Sequence, residues 1–275
     1  MINHVYKIEC ITNLHVGSGD VNYNIIDNEV ERDPVTGYPV VHASGLKGAL
    51  RKHFSKKLDR EVIESIFGQE PEGKTSEADS TGSNSKVIPG SYKFTDANLL
   101  ARPMRVSGQI ASIMVVSERS VNDFIRMMNL FGIDQFGCEL IEPLEFPENI
   151  NFLTDVVGIN SIEDEEFAPL SKQSKQAADV INRLSGIIGT KYAVVKDFND
   201  YDLPVAARNK LDDGESKHLW YEEIVPHDSI FYTLIMTPGD SQMELNSEII
   251  QIGGHASIGC GFTKFSKLCP REELS

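Results

Sequence analysis

Apolar and polar residues alternate in regular patterns along the chain, and the period of each pattern predicts a secondary-structure element. Val5–Thr12 alternates with a period of two, which predicts a half-buried strand. Apolar residues recur at helical spacing after Ser44, so we expect Ser44 to cap a helix that ends near Leu58. Glu118–Phe131 shows the same helical spacing, and Ile230–Met236 predicts a final core strand. This order of strands and helices predicts an α+β domain of ferredoxin-like (RRM-like) type.

Long polar segments interrupt this order and predict insertions into a single elaborated domain over residues 1–275. A polar connection after the first strand occupies residues 14–38, a length and composition typical of a functional loop. Residues 69–86 are rich in Gly, Ser, Thr and Glu, which predicts a disordered surface excursion. Residues 134–208 form an inserted region whose first part is acidic and interrupted by prolines. Asn209–Gly214 predicts a polar turn.

The chain carries a formal net charge of −15, which argues against generic nucleic-acid binding, because affinity for phosphates depends on Lys and Arg. The charge is unevenly distributed, however. Between Asp134 and Glu166 there are ten acidic residues and no Lys or Arg, whereas Lys47–Arg60 holds six basic residues and one acid. A local basic surface therefore remains on the predicted first helix, although a solvated helix face would have the same composition.

The cysteines follow no metal-binding or disulfide pattern. The four residues are scattered and contain no CxxC pair, so we expect neither a structural zinc site nor a disulfide framework. The N-terminal residues alternate like a strand rather than a signal peptide, and no run approaches the roughly 20 apolar residues that cross a bilayer. These features predict a protein of the reducing cytoplasm.

Three short motifs have the composition of backbone-binding sites. HVGSG (15–19) follows the first strand, SGLKGALR (44–51) opens the first helix, and GGHASIGCG (253–261) holds four glycines within nine residues. Glycines admit a close approach of another backbone, and a helix N-terminus with a hydroxyl and a lysine can seat a phosphate. Each motif also has an ordinary interpretation, respectively a strand-end turn, a capped amphipathic helix and a crowded turn in the core.

Taken together, the motifs resemble the RAMP superfamily of CRISPR proteins. The resemblance is carried by HVGSG, DPVTGYPVVHASGLKGALR (33–51), IFG (66–68) and the tail GGHASIGCGF. Two further segments, PGSYKFTDA with LLARPMR (89–105) and LWYEE (219–223), are similar to the repeated backbone subunit of the Cmr-type (type III-B) effector complex. The resemblance extends from Ile8 to Phe265 and is weakest in the acidic middle.

This resemblance implies a ferredoxin-like palm domain with large inserted loops and a thumb-like hairpin, which we place loosely in residues 171–208. It also implies an assembly in which copies of the chain stack into a filament along a guide RNA, together with other subunits of the complex. The complementary target RNA would be cut at regular intervals with the help of a divalent metal, expected to be Mg²⁺. The protein would then be a metal-dependent endoribonuclease.

The resemblance also suggests which residues carry the chemistry. The acid most closely tied to cutting matches Asp27, which would hold the metal and thereby activate the 2′-hydroxyl nucleophile. His15 could act as an acid or a base, and Glu222 or Glu223 could contribute, although neighbouring residues of a strand cannot both face one site. The expected contacts to guide RNA are a hydroxyl, four basic side chains and four glycines: Ser44, Lys47, Arg51, Arg102, Arg105, Gly253, Gly254, Gly259 and Gly261.

Three alternatives remain at the level of the sequence. A metal-independent endonuclease of the same superfamily that processes guide RNA would depend on His15. A non-catalytic filament subunit would bind guide and target RNA without cutting, and loss of cleavage but not of binding in Asp27→Ala would exclude it. A small-molecule enzyme on a ferredoxin-like fold is disfavoured, because the sequence shows no nucleophile–base pair and no cofactor motif.

Overall fold

The computed structural model describes residues 1–17, 19, 25–69, 88–108, 110–133, 152–153, 159–163, 165–166, 184–189, 192–213 and 215–268. The predicted excursion at 69–86 and most of the predicted insertion at 134–208 lie outside these residues. Among the helices described, none is long and apolar enough to cross a membrane.

The elements alternate between strands and a small number of helices. The helices are α1 (Ala43–Phe54), α2 (Arg60–Phe67) and α3 (Glu118–Leu130). The strands are β1 (Ile2–Cys10), β2 (Val40–Val41), β3 (Lys93–Phe94), β4 (Ala97–Gly108), β5 (Ser112–Ser117), β6 (Phe152–Leu153), β7 (Ile159–Ile162), β8 (Glu165–Glu166), β9 (Tyr192–Val195), β10 (Val205–Asp212), β11 (Glu215–Glu223), β12 (Ile230–Thr237), β13 (Ile249–Gln251) and β14 (Phe262–Lys267).

One mixed sheet organises the molecule. Its main path runs β13-β14-β1-β12-β4-β5-β9-β6, and among the described pairs only β5 and β9 are parallel. One face packs on α1 and α2 through Leu50 and Ile66, and the other packs on α3 and on residues 184–188 through Phe124 and Leu184. The elements β1, α1 with α2, β4, β5, α3 and β9 follow in the predicted order, which confirms the α+β interpretation.

The strands predicted from alternation are present. β1 overlaps the predicted strand but begins earlier, at Ile2, and ends two residues earlier, at Cys10. Its buried side chains Tyr6, Ile8 and Cys10 face the α1 side of the sheet. β12 matches the prediction closely, and nearly every one of its residues is buried. The reason is its position between β1 and β4, where both of its edges are paired and both of its faces are covered.

The first helix begins differently from the prediction. α1 starts at Ala43, so Ser44 lies within the first turn, is exposed and does not cap the helix. The carboxylate of Asp96 instead accepts a hydrogen bond from the Ala43 amide at 2.6 Å. A distant acid therefore supplies the N-terminal cap that we expected from a local serine.

A two-stranded hairpin, β10–β11, forms a sheet of its own. The expectation of a polar turn over Asn209–Gly214 is wrong for its first residues, because β10 stays paired with β11 as far as Asp212, with a register shift between Lys210 and Leu211. The hairpin begins inside the range 171–208 in which we expected a thumb, and it ends beyond that range at Glu223. Its alternating side chains give it two different faces.

Candidate active site

The connection between β1 and β2 lies along β11 and places Asp27 at its surface. The amide of Asp27 donates to the carbonyl of Tyr221 at 3.0 Å, and the amide of Asn28 donates to the same carbonyl at 3.2 Å. The Asp27 carboxylate accepts a hydrogen bond from the Tyr221 amide at 2.8 Å through Oδ2. The backbone and one carboxylate oxygen are therefore anchored to the strand while the residue itself stays exposed.

Glu222, the next residue on β11, is the centre of a buried polar network. Its side chain is 1% exposed, and its Oε1 accepts from Trp220 Nε1 at 2.7 Å and from Asn28 Nδ2 at 3.2 Å. Oε2 accepts from Arg208 Nε at 3.1 Å, and His255 Nε2 lies 3.3 Å from Oε1. Burial alone would raise the pKa of this carboxyl, but these donors together outweigh burial and lower it. Glu222 is therefore an anion whose position is fixed by four side chains.

Glu223 points the other way and fastens the loop. Its Oε2 accepts from the Val30 amide at 3.1 Å, and its Oε1 forms an ion pair with Arg32 at 2.7 Å. The sequence predicts that only one of the two glutamates faces the site. In the structure Glu223 contacts Arg32 in the far part of the loop, and Glu222 contacts His255. Both carboxylates are nevertheless buried, so the strand holds the loop from both of its faces.

Two imidazoles meet behind Glu222. His15 is 6% exposed, and its Nδ1 donates to the carbonyl of Glu223 at 2.8 Å. The His255 ring centroid lies 5.3 Å from that of His15, and the His255 side chain is 34% exposed. The structure thus brings Asp27, Glu222 and His15 into one region, but the histidine nearer the surface is His255, which the sequence analysis does not select.

The glycine-rich tail is shaped largely by contacts within the chain. A β-carbon at Gly253 would collide with the carbonyl of His15, and one at Gly261 would collide with the carbonyl of Ile252. Both residues have positive φ, 76° and 79°. Crowding inside the chain therefore explains why Gly253 and Gly261 are glycines. It does not explain Gly259, because nothing lies within 4 Å of a β-carbon at that position. Gly254 donates its amide to the His15 carbonyl at 2.9 Å and has ordinary space around it.

We expect Gly261→Ala to lower the free energy of unfolding by about 3 kcal/mol, because strained backbone and a steric collision add together at this position. Gly259→Ala is the matched control, since Gly259 has a similar positive φ of 84° without the collision, and it should lose only about 1 kcal/mol. Urea unfolding followed by circular dichroism measures both values. Equal losses in the two variants would show that the contact with Ile252 does not require glycine.

The residues predicted to bind guide RNA differ in their burial and in their partners within the chain. Arg102 was assigned to guide RNA by the resemblance, but the structure corrects this, because Arg102 is 3% exposed and donates to the carbonyls of Tyr201 and Asp202 at 2.7 and 3.0 Å. Its guanidinium therefore fastens the segment before β10 to the core. Arg51 is half-buried and donates to the carbonyl of Gly68 at 2.8 Å.

The remaining predicted contacts lie nearer the surface. Ser44 is exposed and Lys47 is half-buried on α1. The Arg105 side chain is 82% exposed and pairs with Glu163 at 2.9 Å. The structure does not gather these residues into one contact set with Asp27.

The residues that the sequence analysis missed are the partners of Glu222. Asn28 directly follows Asp27 in the chain. Arg208 lies opposite Trp220 in the hairpin, so the pairing register of β10 and β11 would have indicated that Arg208 lies near Glu222. His255 stands inside the glycine-rich motif and has positive φ, 59°, which is uncommon for a residue other than glycine. A histidine in a run that otherwise favours glycine was the signal available in the sequence.

A metal site can be tested against the donor set. Within the described ranges no group of three or more His, Cys, Asp or Glu side chains could hold a metal ion. Mg²⁺ in phosphoryl-transfer sites is commonly held by one or two carboxylates together with substrate phosphates and water. A single surface carboxylate such as Asp27 is compatible with that mode of binding and incompatible with an all-protein metal cage.

The mixed sheet with helices on both faces places the chain in the α+β, ferredoxin-like class of folds. The model of the RAMP superfamily matches residues 7–264, and the chain belongs to that superfamily. Among individual proteins, it is 29% identical over an alignment of 287 residues to the CRISPR system Cmr endoribonuclease Cmr4 of Pyrococcus furiosus, covering 92% of each chain. It is 25% identical to the CMR subunit Cmr4 of Saccharolobus solfataricus, covering 94% of each.

Two solved structures have a similar fold. Oligomeric Cmr4 from Pyrococcus furiosus superposes with a TM-score of 0.70 at 21% identity, covering 97% of this chain and 98% of that one. A chain of the type III-B Cmr-beta complex bound to cognate target RNA superposes with a TM-score of 0.66 at 22% identity, covering 97% of both. These likenesses confirm the predicted fold.

Proposed function

We propose that this chain is a repeated backbone subunit of a type III-B CRISPR effector complex, that it binds guide RNA and that it cleaves the paired target RNA. The proposal is supported by membership of the RAMP superfamily and by similarity over more than nine tenths of the chain to a Cmr endoribonuclease. Similarity to an oligomeric Cmr4 and to a Cmr-beta chain in a target-bound complex supports partners of three kinds. These are further copies of the chain, other subunits of the complex, and RNA, all in the cytoplasm.

The observation that carries the nuclease proposal is the placement of Asp27. Its carboxylate is anchored through one oxygen to β11 and stands at the surface beside a buried charged network. Cleavage of RNA by its own 2′-hydroxyl requires alignment of that group with the scissile phosphate and stabilisation of the charge that develops. A carboxylate fixed at the surface can reach the phosphate of an RNA strand that lies on the loop. A carboxylate in the core could not.

Asp27 would also hold the divalent metal, expected to be Mg²⁺, through the carboxylate oxygen that Tyr221 does not engage. The bound ion would acidify the nucleophilic hydroxyl and neutralise charge at the phosphate. The protein's own contribution is to hold Asp27 in place, through the two backbone hydrogen bonds to Tyr221 and the Asn28 contact to Glu222.

Guide RNA would lie on the exposed face of α1. Gly45 and Gly48 are exposed, and a β-carbon at either would have nothing within 4 Å, so packing inside the molecule does not require glycine there. Glycine inside a helix is less stable than alanine by about 1 kcal/mol per position, so an external partner that approaches closely would explain both residues. Ser44 on the same turn and Lys47 beside it could bind the phosphates of that partner.

The proposal is tested with the complex reconstituted with a guide RNA and a labelled complementary target. We expect regularly spaced cuts in Mg²⁺, loss of all cuts in EDTA, and recovery when Mg²⁺ is added back. Target binding without cuts would support the scaffold alternative. Cutting of precursor guide RNA in EDTA would support the processing enzyme, for which the burial of His15 is unfavourable.

A further inference from the structure

His255 occupies a backbone conformation that is uncommon for residues other than glycine. It follows Gly253 and Gly254 and has φ 59° and ψ 28°, in the left-handed region. Its carbonyl accepts from the amides of Ile258 and Cys260, so the surrounding turn holds this conformation. Glycine or asparagine would fit the same backbone with less strain, and strained residues cluster at functional sites, so the side chain of His255 is a candidate for a functional role.

The buried carboxylate of Glu222 determines which nitrogen of His255 is available. A carboxylate anion only accepts hydrogen bonds, so its Oε1 at 3.3 Å from His255 Nε2 favours the tautomer of His255 that carries a proton on Nε2. Nδ1 is then the nitrogen that can carry and transfer the second proton.

The two imidazoles of the cluster differ in their access to a ligand. His15 is buried, with Nδ1 donating to the Glu223 carbonyl, so its position is set by the core. The groups that face His255 are the Glu222 carboxylate, the ring of His15 and, beyond Glu222, the guanidinium of Arg208. Because a third of the His255 side chain is exposed, it is the member of this cluster that RNA can reach.

His255 and the loop that carries Asp27 both contact the carboxylate of Glu222. Asn28 Nδ2 and His255 Nε2 both contact Oε1 of Glu222, at 3.2 and 3.3 Å, and Asn28 is the residue after Asp27. One carboxylate oxygen thus fixes the relative positions of the loop and the tail.

We propose that His255 is a catalytic residue of the RNA-cleaving site, acting as the general acid toward the leaving 5′-oxygen, and that Glu222 is its positioning residue. The inference rests on the proposed nuclease function. In the step, the 2′-oxygen forms a bond to phosphorus and loses its proton to a hydroxide ion of the solvent. The bond from phosphorus to the 5′-oxygen breaks, and that oxygen takes the proton from His255 Nδ1. The products are a 2′,3′-cyclic phosphate and a 5′-hydroxyl, and His255 regains its proton from water.

The test is His255→Gly in the reconstituted complex, because glycine fits the left-handed backbone and removes only the imidazole. We expect single-turnover cleavage of target RNA to fall by about 100-fold, as is typical for loss of a general acid, with target binding unchanged. Added imidazole should restore at least about tenfold of the rate, since it can occupy the vacated space and donate the proton. His255→Asn, which also tolerates this backbone, should be as slow and should not respond to imidazole.

The control is His227→Ala, an exposed histidine on another turn, which should cleave at the wild-type rate with and without imidazole. Wild-type cleavage rates in His255→Gly would overturn the inference and leave the nuclease proposal intact. A slow His255→Gly that imidazole does not rescue and that binds target weakly would show a structural role and also overturn it. Absence of cleavage in the wild-type complex would overturn the nuclease proposal itself.

Discussion

Replacing Asp27 with asparagine is expected to abolish guided cleavage while leaving the complex assembled on its target. The asparagine carbonyl oxygen can accept the hydrogen bond from the Tyr221 amide that Asp27 Oδ2 accepts at 2.8 Å, so the loop should keep its position on β11. The negative charge that would hold a metal ion at the nucleophile is lost. We expect the single-turnover rate to fall by at least about 1,000-fold, or about 4 kcal/mol of transition-state stabilisation.

The measurement is quenched cleavage of labelled target at saturating complex, together with a filter-binding titration of the same preparation. Glu29→Gln is a suitable control, because it removes a carboxylate from the same loop, two residues away. It should cut at a rate close to that of the wild type. Cleavage by Asp27→Asn within about threefold of the wild-type rate, against the loss expected for a metal-holding carboxylate, would remove Asp27 from the site.

Replacing Glu222 with alanine is expected to lower the free energy of unfolding. The substitution leaves the guanidinium of Arg208, the indole of Trp220 and the amide of Asn28 without the carboxylate that they share. Breaking a buried ion pair from one side typically lowers stability by 3–5 kcal/mol; since the Arg208 side chain is 28% exposed, we expect about 2–3 kcal/mol here. Urea unfolding at pH 7 measures this loss.

The loss should depend on pH in a defined direction. The pKa of Glu222 is lowered in the folded protein from the ordinary value of 4.5, so its contribution is complete above that value and is lost as the pH falls through the lower, folded pKa. The difference between the wild type and Glu222→Ala should therefore shrink below pH 4.5. Glu215→Ala, an exposed carboxylate at the other end of β11, should differ little from the wild type at any pH. A difference that stays constant through the acid range would contradict the charged network.

Regular patterns in the sequence predict the parts of the fold that depend on local periodicity. β1, α3 and β12 could be predicted because each buries one consistent set of positions, and α3 is further stabilised by the reciprocal hydrogen bonds of Ser117 and Ser120. The cap of α1 could not, because Asp96 lies 53 residues from Ala43 in the chain. The extension of β10 as far as Asp212 could not be predicted either, because its polar residues are paired with β11 rather than buried and show no hydrophobic pattern.

The candidate site was predictable only in part. The assignments of Asp27, His15 and Glu222 come from the resemblance and from the chemistry of the side chains, and the structure brings all three to the region of the hairpin base. Their roles remain predictions. Arg102 was misassigned because a local pattern cannot distinguish an arginine that binds phosphate from one that fastens a neighbouring loop through its carbonyls.

The role of His255 depends on a contact with Glu222 across 33 positions of the chain, which no local motif records. The glycine-rich tail predicts a close approach of backbone, and the structure shows that part of this approach is made by the chain itself, at Gly253 and Gly261. Sequence motifs of this kind thus identify where backbones meet without identifying which backbones they are.

The most direct test of the central claim is a cut map of one target RNA on two guides that pair with it in registers offset by one nucleotide. If this chain is the guide-dictated nuclease, every cut in the wild-type complex should move with the guide, and no cut should appear with Asp27→Asn on either guide. Cuts that stay at the same target nucleotides on both guides, or that persist in Asp27→Asn, would contradict the account.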